Sequence, residues 1–162
     1  MLFAAFICIG SYLNIDPAFP PKHLNENCNL SLHIVRESTF RSVHPFITLA
    51  MIHNESRWNP EVVSPRGACG LMQVVPAYTF PRYSCDELKH PIINISAGLD
   101  AVSYWLGRTK RRRFSSYKKY ISKALNCYSS GNNCNHPSYP RRIFKIYDRL
   151  MKKYNNFNPW RI

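Results

Sequence analysis

Apolar residues recur at helical spacing through most of the chain. The segment from Asn29 to Phe40 predicts a first helix, and His44-Pro45 opens a second, with Pro45 suited to a first helical turn. Three further stripes have a period near that of an α-helix: Ile95, Leu99, Val102 and Leu106; Tyr117, Ile121, Ala124, Leu125 and Tyr128; Ile143, Ile146, Tyr147, Leu150 and Tyr154. We expect these stripes to form the core. Because no alternating strand pair and no internal repeat is visible, the predicted fold is mainly α with little or no sheet.

One long segment, residues 56–80, lacks this periodicity. It is interrupted by residues that are typical of turns: Pro60, Pro65, Gly67, Gly70 and Pro76. We predict an irregular loop that leads into a short helical piece at Leu71 to Val74. Loops held on a rigid scaffold commonly build clefts.

Length and composition indicate a single globular domain. A chain of 162 residues has room for one hydrophobic core, and 45% of its residues are hydrophobic. We place this domain at residues 28–156, after an apolar N-terminal segment at residues 1–20. One active-site cleft and a monomeric protein are therefore the expectation.

The N-terminal segment favours export. Its first thirteen residues, MLFAAFICIGSYL, are too few to span a membrane as a helix and match the apolar core of a signal peptide in length. No Lys or Arg precedes this run, and no clear cleavage site precedes Pro17. Two alternatives to a signal peptide therefore remain: a short anchor that contacts the membrane, or an N-terminal segment packed on the domain. Export predicts a periplasmic or extracellular protein, or one carried in a phage virion.

The chain is strongly basic. Its 22 Lys and Arg against 9 Asp and Glu give a formal charge of +13, which attracts anionic polymers such as cell wall, nucleic acid or membrane surfaces. Dense runs occur at residues 110–113 and at Lys118, Lys119 and Lys123. The aromatic residues interleaved there suggest a nucleic-acid-binding protein as an alternative. We expect this basic run to form a solvated face that attracts the cell wall and does not bind nucleic acid. It lies between two helical stripes and resembles no known nucleic-acid-binding motif.

The cysteines indicate disulfides. Apart from Cys8, five remain, and none forms a C-x-x-C pair or combines with His at zinc spacing, so we predict no metal site. Disulfides agree with export. Cys127 and Cys134 flank a short loop that a bridge would close. Because five is an odd number, one of these cysteines would remain a free thiol, and the sequence does not determine which cysteines pair.

One acidic residue stands out. Glu55 lies at the C-terminal end of the second predicted helix, whose Ile47, Ala50 and Met51 form an apolar face. The helix macrodipole at that end favours cations, and burial penalises the ionised carboxylate. A carboxyl that stays neutral near neutral pH is the usual proton donor in glycosidic bond cleavage. Glu55 is therefore the candidate acid, although a surface acid at a helix end would show the same pattern.

Several motifs accompany Glu55 in order. Residues 53–56, HNES, are followed by WNP at 58–60, and residues 63–73 read VSPRGACGLMQ. Further on come Asn94-Ile95 with Gly98, then NCYSSG at 126–131, then Tyr139 with Ile143. In this order they resemble the soluble-type lytic transglycosylases, whose catalytic domain is lysozyme-like and related to goose-type lysozyme. Ser129 and Ser130 depart from that family, which usually has Asn and Ala there.

The resemblance implies a lysozyme-like single domain that cleaves peptidoglycan glycan strands without a cofactor. It implies that Glu55 protonates the oxygen of the MurNAc-GlcNAc β-1,4 bond and then activates the muramyl C6 hydroxyl, which leaves a 1,6-anhydro-MurNAc end. It also assigns substrate contacts to Ser56, Met72, Gln73, Asn94 and Tyr128. Ser56, Met72 and Tyr128 also have purely structural interpretations, as a helix-end residue or as core. A goose-type-lysozyme-like muramidase, which uses water instead, is the closest alternative.

Overall fold

Helices carry most of the backbone that the computed structural model describes, which is residues 28–157, with side chains described for residues 29–153. Within residues 28–157, six α-helices follow one another: α1 Cys28–Phe40, α2 Pro45–Ser56, α3 Cys85–Leu88, α4 Pro91–Arg108, α5 Tyr117–Ser130 and α6 Ser138–Phe157. Short 3₁₀ turns lie at Pro76–Tyr78, Arg111–Arg113 and Gly131–Asn133. The predicted first two helices and the three later helical stripes are confirmed.

Helix α2 is the central element of the core. Nine consecutive residues, Pro45 to His53, are buried, as expected for a helix that is apolar on all sides. Its N-terminus is capped by His44, whose Nδ1 accepts a hydrogen bond from the Phe46 N–H at 3.2 Å. Its buried Thr48 hydroxyl pairs with Ser38 of α1 at 2.7 Å, so this polar atom is satisfied within the core.

The other helices surround α2. Helix α6 packs along α2, α1 packs on α2 and α4, and α5 packs between α4 and α6. The predicted stripe on α4 is buried throughout, and Ile121, Leu125 and Ile143 of the next two stripes are fully buried. Tyr117 lies at the edge of the core and is 39% exposed. Tyr154, the last residue of the third stripe, lies outside the described side chains.

The expectation of little or no sheet is confirmed for residues 28–157, where only isolated β-bridges occur. They join Val63 to Cys69 and Cys69 to Val74. The predicted helical piece at Leu71 to Val74 is wrong: residues 70–73 form a tight turn instead. Backbone hydrogen bonds in both directions between Cys69 and Val74 close this turn, and its ends, Gly70 and Gln73, have φ of 74° and 52°. A left-handed φ at these positions prevents a helix.

A buried amide on α4 fixes the turn. Asn94 is fully buried, donates to the carbonyls of Cys69 and Leu88 at 2.9 and 2.6 Å, and accepts from the Met72 N–H at 2.7 Å. Gly70 is required beside it, because a Cβ there would lie 2.3 Å from the Asn94 Nδ2. Met72 in turn packs over Gly98, where a Cβ would lie 2.6 Å from the methionine sulfur.

Among the described side chains, two disulfides brace the loops. One joins Cys127 to Cys134 across the short loop that the sequence left open to a bridge, and the other, which spacing did not indicate, joins Cys69 to Cys85. Within the described side chains no free cysteine occurs. The leftover thiol predicted from the odd count concerns Cys8 and the side chain of Cys28, which lie outside the described residues.

The prediction of a signal peptide or anchor likewise concerns residues outside the described range, since the backbone description starts at Cys28. Among residues 28–157, no helix combines the length and the apolar character needed to cross a bilayer.

Asn94→Ala should lower the free energy of unfolding by about 3 kcal/mol. Three hydrogen bonds are lost, and the Leu88 carbonyl and the Met72 N–H are left buried without partners, whereas the Cys69 carbonyl keeps its bond from the Val74 N–H. Urea titration followed by circular dichroism measures this change. Asn133→Ala, at an exposed amide, serves as the control and should cost little. An equal loss in both variants would contradict the anchoring role of Asn94.

Candidate active site

Glu55 lies one residue before the end of α2, where the buried helix meets the irregular loop. The helix stops because Arg57 and Trp58 both adopt left-handed conformations, with φ of 53° and 69°. Trp58 is 2% exposed and belongs to the core, so the chain turns sharply directly after Glu55. The carboxyl therefore lies mostly buried at the end of an apolar helix, as predicted.

Burial is the main influence on this carboxyl and raises the pKa of Glu55. Three neighbours oppose the shift: the Tyr139 hydroxyl, the Asn54 amide and the Arg142 guanidinium. The buried Tyr139 hydroxyl faces the carboxyl and interacts with it. Since the pKa of Glu55 is raised in spite of these neighbours, desolvation outweighs them, and the carboxyl keeps its proton to higher pH than an exposed glutamate does.

Arg142 is the positive group nearest to this chemistry. Its Nε donates to the Asn54 Oδ1 at 3.3 Å and its Nη1 to the Ser138 hydroxyl at 3.3 Å. Its guanidinium also lies over the Tyr139 ring, 5.8 Å from the centroid. These contacts hold the cation near Glu55 while the side chain stays exposed to solvent.

Tyr128 connects Glu55 to the tight turn. Its hydroxyl donates to the Met72 carbonyl at 2.7 Å, and its ring stacks on Tyr139 with centroids 6.3 Å apart. Its pKa is raised well above the usual value, first by burial and then by the charge of Glu55, so the phenol stays protonated. The turn is thus held by Asn94 from α4 and by Tyr128 from α5.

A cleft of about 780 Å³ begins at Tyr128 and extends along the loop and α4. Glu55 does not line this cleft. Tyr128 does, and it is also close enough to Glu55 to be affected by its charge, so Tyr128 forms a wall between Glu55 and the cleft. Aromatic side chains are prominent in its lining: Tyr78, Phe80, Tyr104, Trp105 and Tyr128. Tyr78 and Phe80 are 86% and 96% exposed, which offers flat apolar surface of the kind that packs on sugar rings.

Gln73 also lines the cleft, as its predicted contact with substrate requires. Its amide nitrogen donates at 3.0 Å to the carbonyls of both Val62 and Gly70. Both amide hydrogens are therefore used to hold the loop, and the side-chain carbonyl is the group left to accept a hydrogen bond from a ligand.

The other predicted contacts lie beneath the surface. Ser56, Met72 and Asn94 are 5%, 0% and 0% exposed. The Ser56 hydroxyl donates to the Ile52 carbonyl within the helix at 3.2 Å, and the other two side chains hold or fill the space behind the turn. The structure therefore places these three side chains behind the cleft surface, where they support the loop and the helix end, and their assignment to substrate contact stays a prediction.

Some cleft and site residues were missed by the motifs. Asp100 lines the cleft and is bound by Arg41 of the Arg41–Ser42 turn at 2.6 Å. Arg142 and the exposed Tyr78 and Phe80 also carried no signal, because lone aromatic or basic residues in loops and on exposed helix faces have no diagnostic spacing. Tyr139 was noted only as part of a motif, and its position facing Glu55 required the tertiary structure.

No group of three or more His, Cys, Asp or Glu side chains within the described part of the chain is arranged to hold a metal ion. The cysteines at 69, 85, 127 and 134 are all engaged in disulfides.

Comparison with known proteins places this site in a family. The family model described as "Transglycosylase SLT domain" matches residues 33–138, which is more than half of the chain. The chain belongs to the transglycosylase SLT domain family. The match contains Glu55, the tight turn, Asn94 and Tyr128, and it ends one residue before Tyr139.

Two relatives of the SLT domain are similar in sequence. The "Soluble lytic murein transglycosylase" of Escherichia coli K12 is 30% identical over 109 residues, which is 60% of this chain and 17% of that protein. The protein of the same description from Salmonella typhimurium is 31% identical over 115 residues, covering 64% and 17%. The chain thus spans about a sixth of the length of these relatives.

Glu55→Gln should stabilise the fold at neutral pH. The pKa of Glu55 is higher in the folded state than in the unfolded state. The wild type therefore loses stability as the pH rises from the unfolded-state pKa through the folded-state pKa. A neutral amide at this position avoids that loss. Thermal unfolding should give a higher Tm for the variant at pH 7 and no difference at pH 3. Glu61→Gln, at an exposed acid, is the control. A variant that is less stable than the wild type at pH 7 would contradict the assignment of desolvation as the dominant effect.

Proposed function

We propose that this SLT domain is a peptidoglycan lytic transglycosylase, with Glu55 as its only acid/base. One observation carries the proposal: a single carboxyl, mostly buried at an apolar helix end and with its pKa raised, shares a wall with an aromatic cleft. The description of the two relatives as murein transglycosylases supports it.

The reaction would use Glu55 twice. The protonated carboxyl donates to the glycosidic oxygen as the C1–O bond of MurNAc breaks. The resulting carboxylate removes the proton from the muramyl C6 hydroxyl, O6 bonds to C1, and Glu55 returns to its acid form. No water is consumed, the product ends in 1,6-anhydro-MurNAc, and a second carboxylate is unnecessary.

The cleft offers groups that can hold the glycan next to this chemistry. The Gln73 carbonyl can accept from a sugar hydroxyl or amide, and the rings of Tyr78, Phe80 and Tyr104 can pack on sugar faces. The wall residues Ser129 and Ser130 donate to the Asn126 carbonyl at 3.0 and 2.8 Å, which positions the loop next to Tyr128.

We place the protein in the periplasm or outside the cell. The disulfides Cys69–Cys85 and Cys127–Cys134 are typical of oxidising compartments, and murein lies in such a compartment. The charge of +13 would concentrate it on an anionic wall.

Hydrolysis on the same fold is the second candidate, and Asp100 is the observation that favours it. Asp100 is the acidic residue in the lining of the cleft, so its carboxylate could activate water there. Its 2.8 and 2.6 Å contacts with Arg41 engage it in an ion pair instead, which is why we prefer the single-acid reaction.

Glu55→Gln should lower glycan cleavage by about a thousandfold or more, since the shape is kept and the proton is lost. Release of soluble muropeptides from purified sacculi measures the rate. Circular dichroism confirms the fold, and Glu61→Gln is the matched control with near-normal activity. A folded Glu55→Gln variant that retains a large part of the rate would refute the proposal.

The product distinguishes the two candidate reactions. Digestion in oxygen-18 water followed by mass spectrometry should yield anhydro-muropeptides without label. Asp100→Asn should leave most of the activity, because no second carboxylate takes part. Labelled reducing ends, together with an inactive Asp100→Asn variant, would establish a hydrolase in place of a transglycosylase.

Removal of Arg142 should shift the pH profile upwards. Its charge lowers the pKa of Glu55, so Arg142→Gln raises that pKa further and keeps the acid protonated to higher pH. The alkaline limb of kcat/KM should move to higher pH, and the shift should shrink as salt rises, because Arg142 is exposed. Arg141→Gln changes the same charge one residue away and should not move the limb. A shift to lower pH would exclude this electrostatic role.

A further inference from the structure

A second concave surface lies between α5 and α6. It is an open groove of about 810 Å³, and it shares no lining residue with the cleft. The basic run that the sequence placed at Lys118, Lys119 and Lys123 forms one wall of this groove. Arg141 and Lys145 of α6 form the other. These five cations thus line one concave surface while they stay exposed to solvent.

The groove is electrostatically unbalanced. Its lining contains five cations and one acid, Asp148. Lys118 binds Asp148 at 3.2 Å and also lies 4.7 Å from the centroid of the Phe144 ring, so this lysine is engaged. The remaining four cations form no ion pair within the described part of the chain: Lys119, Lys123, Arg141 and Lys145. An occupant that supplies several carboxylates would complement them.

The floor of the groove is apolar. Phe114, Pro137, Pro140 and Phe144 contribute to it. The two phenylalanine rings are already packed, Phe114 at 6.1 Å from Tyr120 and Phe144 edge-on at 5.8 Å from Tyr147. They offer apolar contact to a side chain and not an open platform on which bases stack. A concave site also fits a planar membrane surface poorly.

The length of the groove limits what it can hold. Its lining on α5 runs from Lys118 to Asn126, which corresponds to about 12 Å at the rise of an α-helix. About two turns of a bound helix would fill that length, with one face directed to the floor and the other to the lysines.

From these observations we infer that the α5–α6 groove is a docking site for an acidic amphipathic segment of another protein. Its carboxylates pair with Lys119, Lys123, Arg141 and Lys145, and its apolar side chains lie on the floor between Phe114 and Phe144. This surface would recruit the domain to a protein partner independently of glycan cleavage.

The test uses a fluorescent peptide of about fourteen residues, with Glu at most positions and Leu at helical i, i+3, i+4 and i+7 spacing. Anisotropy is measured at about 0.15 M ionic strength to limit diffuse attraction. The groove variant Lys123→Glu with Lys145→Glu is compared with Lys110→Glu with Arg112→Glu, which changes the net charge equally at exposed positions outside the groove.

We expect the groove variant to weaken binding by about tenfold or more and the control variant by less than about threefold. A peptide with Ser in place of each Leu should also bind at least about tenfold more weakly to the wild type. Muropeptide release should be the same in the groove variant and in the control variant, because the two carry the same net charge, so a failure of docking and a failure of the proposed activity are separable.

Three outcomes would overturn the inference. Equal losses in both charge variants would mean diffuse attraction, and absence of measurable peptide binding to the wild type would mean no docking site. The third is that a single-stranded oligonucleotide or vesicles of phosphatidylglycerol bind more tightly than the peptide and lose more affinity in the groove variant. The groove would then be a nucleic-acid or lipid site.

Discussion

The side-chain amide of Asn94 is the interaction on which the geometry of this site depends. The segment from Arg57 to Ser84 has almost no regular secondary structure, so its backbone groups lack the partners that a helix or sheet would provide. Asn94 supplies two of these partners from a rigid helix, to the Met72 N–H and the Cys69 carbonyl, and a third to the Leu88 carbonyl of α3. A group left buried and unpaired would cost about 1–3 kcal/mol. Gly70 and Gly98 leave the space in which the amide and Met72 fit. The loop thereby gains one defined conformation, and Gln73 and Tyr128 gain fixed positions.

A second constraint is the conflict between burial and charge at Glu55. The same apolar residues that make α2 the centre of the core desolvate the carboxyl at its end, which raises the pKa of Glu55. Stability would favour an amide there, whereas proton donation requires the acid. Arg142 moderates the conflict from an exposed position, held by Asn54, Ser138 and the Tyr139 ring. The fold thus retains a destabilising group at the position where the proposed reaction needs it.

The sequence predicted the helices well because their apolar spacing reflects the core directly. It also singled out Glu55, since a lone acid at the end of an apolar helix is a local pattern; the structure buries this carboxyl, and its catalytic role stays a prediction. It indicated one short loop that a disulfide could close, without fixing the connectivity. It misjudged Leu71 to Val74, where the left-handed backbone of Gln73 leaves no trace in composition. The motifs that assign Met72, Ser56 and Asn94 to substrate contain no information on burial, and the structure buries all three side chains. The Cys69–Cys85 bridge and the position of Tyr139 depend on contacts distant in sequence.

The two disulfides of the described residues close loops that line the cleft. Residues 73–80 lie between Cys69 and Cys85, and residues 128–132 lie between Cys127 and Cys134. Each bridge restricts the unfolded ensemble of its loop, and the longer loop gains about 3 kcal/mol in the chain-entropy account. Cys69 and Cys127 are 1% and 2% exposed, so each bridge ties a cleft-lining loop to the core, which is held by apolar burial. Reduction would therefore loosen the cleft walls before the core. Under the proposed function, an oxidising compartment is then the place where the glycan-binding surface is fully formed.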